Sequence, residues 1–186
     1  YYHFDYVGGG RNYKWVDTIN LANTWEQLHT TYSYGVDRLW VANVGDLKNE
    51  ELPLQLFLDY AWNPSALTLD KLPAWERRYA EQNFGPRHAA EIAEVLHDYG
   101  TLQGRRKPEL LNRRITVDPA NPNAISYDDQ GNPFYLEHYR EMDRVTADWR
   151  RLAERAERIG RALPPSYQDA YFQLVLYAVK ATANLY

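Results

Sequence analysis

Two groups of polar side chains in the first fifty residues have the chemistry to bind or activate a ligand. The first lies in "YYHFDYVGGGRNYKW", residues 1–15, and comprises His3, Asp5, Tyr6 and Arg11. The second lies in "WVANVGDLK", residues 40–48, and comprises Asn43, Asp46 and Lys48. Imidazole, carboxylate, phenol and amide groups exchange protons or hydrogen-bond hydroxyls, and Arg and Lys pair with carboxylates.

The elements around these two groups predict that they meet at one edge of a sheet. "YYHFDYVG" and "VDRLWVANVGD" are rich in β-favouring residues and end in glycine or turn residues, so both are predicted strands. Apolar residues at helical spacing predict a helix from about 17 to 34 between them. A strand–helix–strand unit implies a parallel pair, and the carboxyl ends of parallel strands carry binding residues. We therefore expect both groups at one rim.

Each group also has a purely structural interpretation. His3 and Asp5 alternate along the strand and share a face, so they could satisfy each other within a core. Asp46 follows Gly45, and this pair is equally typical of a turn. Gly8–Gly10 lacks the spacing of a dinucleotide motif and a following Lys-Ser or Lys-Thr, which argues against phosphate binding.

Beyond residue 50 the pattern predicts helices almost exclusively. The fold class we expect is mainly α, a helical bundle preceded by a βαβ remnant. Two strands neither close a barrel nor bury both faces, so the first fifty residues resemble the end of a larger α/β domain. A start without Met and an uncapped apolar last helix suggest an excerpt of a longer protein. The predicted helices are 51–62, 72–85, 86–100 ending at Gly100, a short one at 108–112, 135–163 and one after Pro164-Pro165, with a loop to Pro133 before the longest.

Composition narrows the function classes. A net charge of −4 argues against electrostatic binding of nucleic acid or anionic membranes. The chain has no cysteine, so a thiolate metal site is excluded. It also lacks the H-E-x-x-H motif of zinc proteases and the G-x-S-x-G motif of α/β-hydrolases, so neither class is indicated. The 16 tyrosines and six tryptophans favour contact with sugars or bases, with a tyrosine-rich helical core as the alternative.

A series of longer motifs resembles glycoside hydrolase family 115, the xylan α-glucuronidases. They occur in order as "YYHFDYVGGGRNYKW", "WVANVGDLK", "LQLFLDYAWNP", "QNFG", "GRRKPELL" and "LPPSYQDAYFQLVLYAVKATANLY". The segment from about 115 to 133 is the least similar. The resemblance implies that residues 1–64 are the carboxy-terminal part of a TIM barrel and residues 65–186 a helical bundle domain.

The resemblance also implies an activity and a set of substrate contacts. Family members remove glucuronic acid, or its 4-O-methyl form, α-1,2-linked to xylan, by inverting hydrolysis and without a metal or other cofactor. It implies that His3, Tyr6 and Asn43 bind the substrate, while the general acid and base lie on barrel strands outside this chain. Secondary candidates for the pocket or its supporting loops are Asp5, Arg11, Asp46 and Lys48. Arg11 stands where a proline is expected after the glycines.

The same resemblance implies glucuronoxylan or its oligosaccharides as partner, with no nucleic acid or membrane, and an extracellular or periplasmic location. The alternative from another class is that residues 65–186 form a non-catalytic scaffold or homodimerisation module. A nucleobase-binding aromatic surface is a third interpretation, which the acidic balance disfavours.

Overall fold

Helices dominate the computed structural model, which describes residues 1–4, 15–111, 114–128 and 131–186. The mainly α fold class is confirmed, and the division into domains 1–64 and 65–186 stays a prediction. In chain order the elements are β1 Tyr2–His3, α1 Leu21–Ser33, β2 Ala42–Asn43, α2 Glu51–Trp62, α3 Leu72–Phe84, α4 Ala89–Arg105, β3 Arg114–Asp118, β4 Asn121–Asp128, α5 Glu141–Ala162, α6 Pro165–Tyr171, a π-helical turn Phe172–Leu176 and α7 Tyr177–Leu185.

The predicted βαβ unit is present at the start of the chain. β1 and β2 pair in parallel, with α1 between them, and Tyr2 lies opposite Ala42 while His3 lies opposite Asn43. Helix α1 begins where the Asn20 side chain accepts a hydrogen bond from the Asn23 amide at 3.2 Å. The described ladder is much shorter than the predicted strands, because only two residues of each strand pair.

The helices after residue 50 pack through one apolar face each. In α5 the buried residues recur every three or four positions, which is the spacing of one helical face. This face packs on α4 and α7, and α3 packs on α4. Tyr139, which continues the same spacing, lies before the helix and is exposed. Five apolar residues of α5 at this spacing are buried: Val145, Trp149, Leu152, Ala156 and Ile159.

Many aromatic residues lie in this core, so much of the aromatic excess packs rather than binds. Trp149 stacks on Tyr186 at 5.3 Å between ring centroids and meets Tyr99 edge-on at 5.8 Å. Phe84 packs edge-on against Tyr171 at 5.5 Å. The core therefore accounts for part of the aromatic content, whereas several other tyrosines are exposed.

The helix that was expected to end at Gly100 continues to Arg105. Gly100 is a glycine for another reason, because a Cβ there would lie 3.0 Å from the carbonyl oxygen of Ile19. The glycine permits close approach of α4 to the segment before α1, and the prediction of a helix stop was wrong.

The proline- and asparagine-rich segment after residue 111 is not only a loop. It contains an antiparallel hairpin, β3 paired with β4, with an irregularity between Val117 and Asp118. The Asp118 side chain accepts a hydrogen bond from the Ala120 amide at 2.8 Å, which forms the turn. β-branched residues at 115–117 favour the extended backbone, a signal that the flanking prolines and asparagines obscured.

The last two long helices also differ at their ends. Helix α5 begins at Glu141 rather than near 135, because Tyr139 and Arg140 have φ angles of 57° and 50°, outside the right-handed helix. The last helical stretch begins at Pro165 without a side-chain cap and widens into the π-helical turn. Within the described ranges no helix is both long and apolar enough to cross a membrane.

Candidate functional site

The parallel pair of β1 and β2 places His3 and Asn43 side by side. The two residues are direct neighbours in the ladder, and the Phe4 amide donates to the Asn43 carbonyl at 2.9 Å. Side chains of directly paired residues project to the same side of a sheet. His3 is exposed and Asn43 is half-buried, so both are accessible to a ligand at the carboxyl edge of the pair.

The opposite face of β1 is occupied by packing rather than chemistry. Phe4 is buried and meets Phe57 of α2 edge-on at 5.9 Å, and Tyr2 lies against Phe4 at 5.0 Å. The Tyr2 hydroxyl also donates to Thr24 of α1 at 3.2 Å. Burial raises the pKa of Tyr2, and the hydrogen bond to Thr24 partly offsets that effect. Tyr2 and Phe4 are therefore engaged in packing, whereas His3 is exposed and lines a cavity with residues of α1 and α4.

Asn43 is oriented by two hydrogen bonds. Its amide nitrogen donates to the Tyr1 hydroxyl at 3.1 Å, and its side-chain oxygen accepts from the Gly45 amide at 3.0 Å. Gly45 has a φ of 64°, so the turn after β2 combines a glycine with an asparagine that bonds two residues on. Asn43 therefore shapes the turn and presents its amide at the edge.

The other members of the second group point elsewhere. Asp46 is exposed next to Gly45. The Lys48 ammonium lies 3.3 Å from the Glu51 carboxylate at the start of α2. The segment that contains them connects β2 to α2 and lies beyond the paired residues. Lys48 thus pairs with a carboxylate of this chain, and it would have to leave that carboxylate to bind an acidic ligand.

Comparison with known proteins assigns the chain to a family. The family model for glycosyl hydrolase family 115 matches residues 1–110, more than half of the chain. The chain belongs to glycosyl hydrolase family 115. The resemblance of the sequence motifs is thereby confirmed. The comparison with curated proteins gives no match.

A solved structure agrees with the family over the whole chain. It is described as a family 115 4-O-methyl-α-glucuronidase with specificity for decorated arabinogalactans. It shares 27% sequence identity and a TM-score of 0.81 with this chain, and the match covers 99% of this chain. The match covers 24% of the solved chain, so this family 115 chain spans about a quarter of that relative.

Three of the candidate site residues lie outside the described residues. They are Asp5, Tyr6 and Arg11, and the pairing of His3 with Asp5 that a structural interpretation requires lies there as well. The structure brings His3 and Asn43 together, and the roles of all the candidates stay predictions.

Tyr1 is a further member of this edge that the family 115 motifs did not single out. Its ring meets His3 edge-on at 4.7 Å, and its hydroxyl accepts from Asn43. The alternation that pairs His3 with Asp5 also puts Tyr1 on the same face, so the strand pattern contained the signal. An exposed tyrosine beside an imidazole and an amide is suited to stack on a sugar ring while the polar groups bind hydroxyls.

The described residues of this edge supply hydrogen-bonding groups. Among residues 1–4, 15–111, 114–128 and 131–186, no group of three or more His, Asp or Glu is placed to hold a metal ion. Chemically, the described edge can recognise hydroxyls and an acidic group through its imidazole, amide and phenol groups.

Proposed function

We propose that this chain is part of an enzyme that removes glucuronic acid, or its 4-O-methyl form, from the α-1,2 linkage to xylan. Family 115 membership carries the proposal, and the relative named as a 4-O-methyl-α-glucuronidase supports the type of sugar. The exposed His3 and the half-buried Asn43, paired at the carboxyl edge, support a sugar contact.

In this proposal the chain recognises the sugar and other segments perform the bond cleavage. His3, Tyr6 and Asn43 hydrogen-bond hydroxyls or the carboxylate of the uronic acid, and Tyr1 packs beside them. We further propose inversion, which requires an acid for the leaving oxygen and a base for water, about 6.5–9.5 Å apart. We assign both carboxyl groups to segments outside this chain.

Substitution of the edge residues in the full-length enzyme tests the sugar contact. We expect His3→Ala and Asn43→Ala each to lower kcat/KM for glucuronic acid release roughly 10- to 100-fold, because each removes a hydrogen bond to a charged or hydroxylated ligand. The exposed histidine of the 131–140 segment provides a matched control, His138→Ala, which should leave the kinetics unchanged.

Thermal unfolding separates this proposal from the structural interpretation. Because His3 is exposed, its removal should leave the melting temperature nearly unchanged. If His3→Ala lowered the melting temperature markedly while kcat/KM of the folded enzyme stayed at the wild-type value, His3 would be a structural residue and the substrate role would be wrong.

The polymer is the second question, and the solved relative supplies an alternative. That enzyme is described as specific for decorated arabinogalactans, which favours an arabinogalactan side chain as the second candidate substrate. Release of uronic acid from glucuronoxylan, from its oligosaccharides and from decorated arabinogalactan, measured side by side, decides between them. The xylan proposal requires the highest kcat/KM on glucuronoxylan or its fragments.

We also propose that the full-length enzyme acts outside the cytoplasm, extracellularly or in the periplasm, since a polysaccharide must be reached where it occurs. The helices after residue 64 serve this enzyme as a scaffold in our proposal, and a homodimer formed through them is the alternative role. Sedimentation of the full-length enzyme would detect the dimer.

A further inference from the structure

The segment that leads into helix α1 is buried to an unusual degree for a connection. Residues 15–20 have no regular secondary structure, yet Val16, Asp17 and Thr18 are all buried. Connections ordinarily run over the surface, because buried backbone groups need hydrogen-bond partners. The partners of this connection must therefore come from the element that covers it.

Helix α4 and the turn after it supply those partners. The Tyr99 hydroxyl donates to the Asp17 carbonyl, and the Asn20 side chain donates to the Gly100 carbonyl at 3.3 Å. Beyond the end of α4, the Lys107 ammonium donates to the Thr18 hydroxyl at 2.7 Å. These contacts join segments some eighty residues apart in sequence.

Two further contacts extend this attachment to both sides. The Trp15 indole donates to the Glu109 carboxylate, and the Asn49 side chain donates to the Trp15 carbonyl at 3.2 Å. Trp15, the first residue of the connection, is therefore hydrogen-bonded both to the 3-10 turn after α4 and to the segment before α2. At Gly100 the backbone of α4 approaches Ile19 so closely that a Cβ does not fit without a shift.

The tyrosine that binds the connection is itself held by the last helix. The Gln103 amide donates to the Tyr99 hydroxyl at 2.8 Å and to Thr182 of α7 at 3.2 Å. Gln103 and Thr182 are both almost completely buried. A continuous chain of hydrogen bonds therefore runs from α7 through α4 to the connection, and water does not compete with it.

We propose that Tyr99, Gln103 and Lys107 are positioning residues that fix the connection between the substrate-binding strand and α1. Thr18 and Lys107 line the same cavity as His3, so holding residues 15–20 fixes one side of the space beside the site. The helices after residue 64 then act on the sugar site by restricting its geometry. This inference rests on the proposed function for its effect on activity.

Two buried tyrosines provide a matched test in the full-length enzyme. Tyr99→Phe removes only the hydroxyl that binds Asp17. Tyr171→Phe removes a similarly buried hydroxyl that donates to the Ala156 carbonyl at 2.9 Å, within the helices and away from the connection. Both changes remove a bond from a buried backbone carbonyl, and Tyr99→Phe also removes the acceptor of the Gln103 amide, so Tyr99→Phe should lower the melting temperature at least as much as Tyr171→Phe.

The two variants should differ in kinetics and in backbone dynamics. We expect Tyr99→Phe to lower kcat/KM for glucuronic acid release roughly three- to tenfold, the equivalent of one buried hydrogen bond, well below its melting temperature. Amide hydrogen exchange in residues 15–20 should quicken by a similar factor. Tyr171→Phe should change neither. Lys107→Met should act in the same direction as Tyr99→Phe, and Lys107→Arg, which keeps a donor, should recover most of the activity.

Two outcomes would overturn the proposal. In the first, hydrogen exchange in 15–20 is the same in Tyr99→Phe as in the wild type. In the second, kcat/KM falls equally in Tyr99→Phe and Tyr171→Phe. If the wild-type enzyme releases no glucuronic acid from any of the polymers, the proposed function fails separately, and the exchange rates alone then decide whether α4 fixes the connection.

Discussion

Asp17 is a buried carboxylic acid whose ionisation opposes folding. Burial raises its pKa to about 7, although the hydrogen bond from the Ile19 amide and the charge of Lys107 act in the opposite direction. Glu51 also raises this pKa. In the unfolded chain the pKa of Asp17 returns to its ordinary value near 3.8. Between these two values the folded state binds a proton that the unfolded state does not.

This difference predicts how stability depends on pH. As pH rises from about 4 to about 7, the contribution of Asp17 lowers the free energy of unfolding by roughly 1 kcal/mol per pH unit, and above pH 7 it is constant. Asp17→Asn keeps the acceptor for Ile19 and cannot ionise. We expect the variant to match the wild type near pH 4 and to exceed it increasingly toward pH 7, in urea unfolding at a series of pH values. A difference that does not grow with pH would contradict the assignment.

Some residues of the candidate site could be predicted from the sequence, and others could not. His3 and Asn43 could be predicted to meet, because each belongs to a predicted strand and the carboxyl ends of parallel strands lie at one edge. The pairing of Lys48 with Glu51 could not be predicted, because it depends on where helix α2 begins. This ion pair competes with any role of Lys48 at the rim. The alternation of side chains along β1 also puts Tyr1 on the same face as His3, so Tyr1 could have been predicted as a member of the site.

At the scale of elements, α4 has two glycines that face different surroundings. Gly100 lies against the Ile19 carbonyl, whereas a Cβ at Gly104 would have only the Asn20 side chain at 3.8 Å as a neighbour. Both are interior to the same helix or its last turn, so alanine improves helix propensity at either position. Only one of the two substitutions meets backbone.

We expect opposite effects on stability from these two substitutions. Gly100→Ala should lower the free energy of unfolding by about 1–3 kcal/mol, because α4 and the connection before α1 must separate to admit the methyl group. Gly104→Ala should raise it by about 0.5 kcal/mol through helix propensity. Chemical denaturation of both variants measures the difference. Equal stability of the two would mean that the approach at Ile19 imposes no constraint.

The prediction of elements succeeded where local periodicity decides the structure and failed where distant contacts do. The bounds of α2 and the buried face of α5 follow from spacing and flanking residues alone. The reason for a glycine at position 100 is its close approach to Ile19, about eighty residues earlier, which no local pattern shows. The hydrogen bonds that hold residues 15–20 come from residues distant in sequence, and the sequence analysis did not predict them.

At the scale of the whole molecule, apolar surface is concentrated around the βαβ unit. Leu39 and Leu47 flank β2 and are 77% and 67% exposed, Tyr34 after α1 is 86% exposed, and Trp62 at the end of α2 is 91% exposed. By contrast, each of the later helices α3, α4 and α5 buries an apolar face. Contiguous exposed apolar residues mark surfaces that associate with other segments. The solved relative is about four times as long as the aligned region, and we propose that segments outside residues 1–186 cover this surface in the full-length enzyme.

This distribution predicts the behaviour of residues 1–186 expressed alone. In our proposal two short strands supply only one edge of a sugar site, and inverting hydrolysis needs two correctly spaced carboxyl groups that we assign elsewhere. We therefore expect no release of glucuronic acid from glucuronoxylan or arabinogalactan above background, in a sample whose far-ultraviolet circular dichroism shows folded helices. The full-length enzyme at equal concentration is the positive control. Turnover by the isolated chain would place the acid and base within these residues and would overturn the assignment.

Binding of an apolar dye would measure the uncovered apolar surface. If Leu39→Lys and Trp62→Lys reduce dye binding, the uncovered surface lies around the βαβ unit rather than on the later helices.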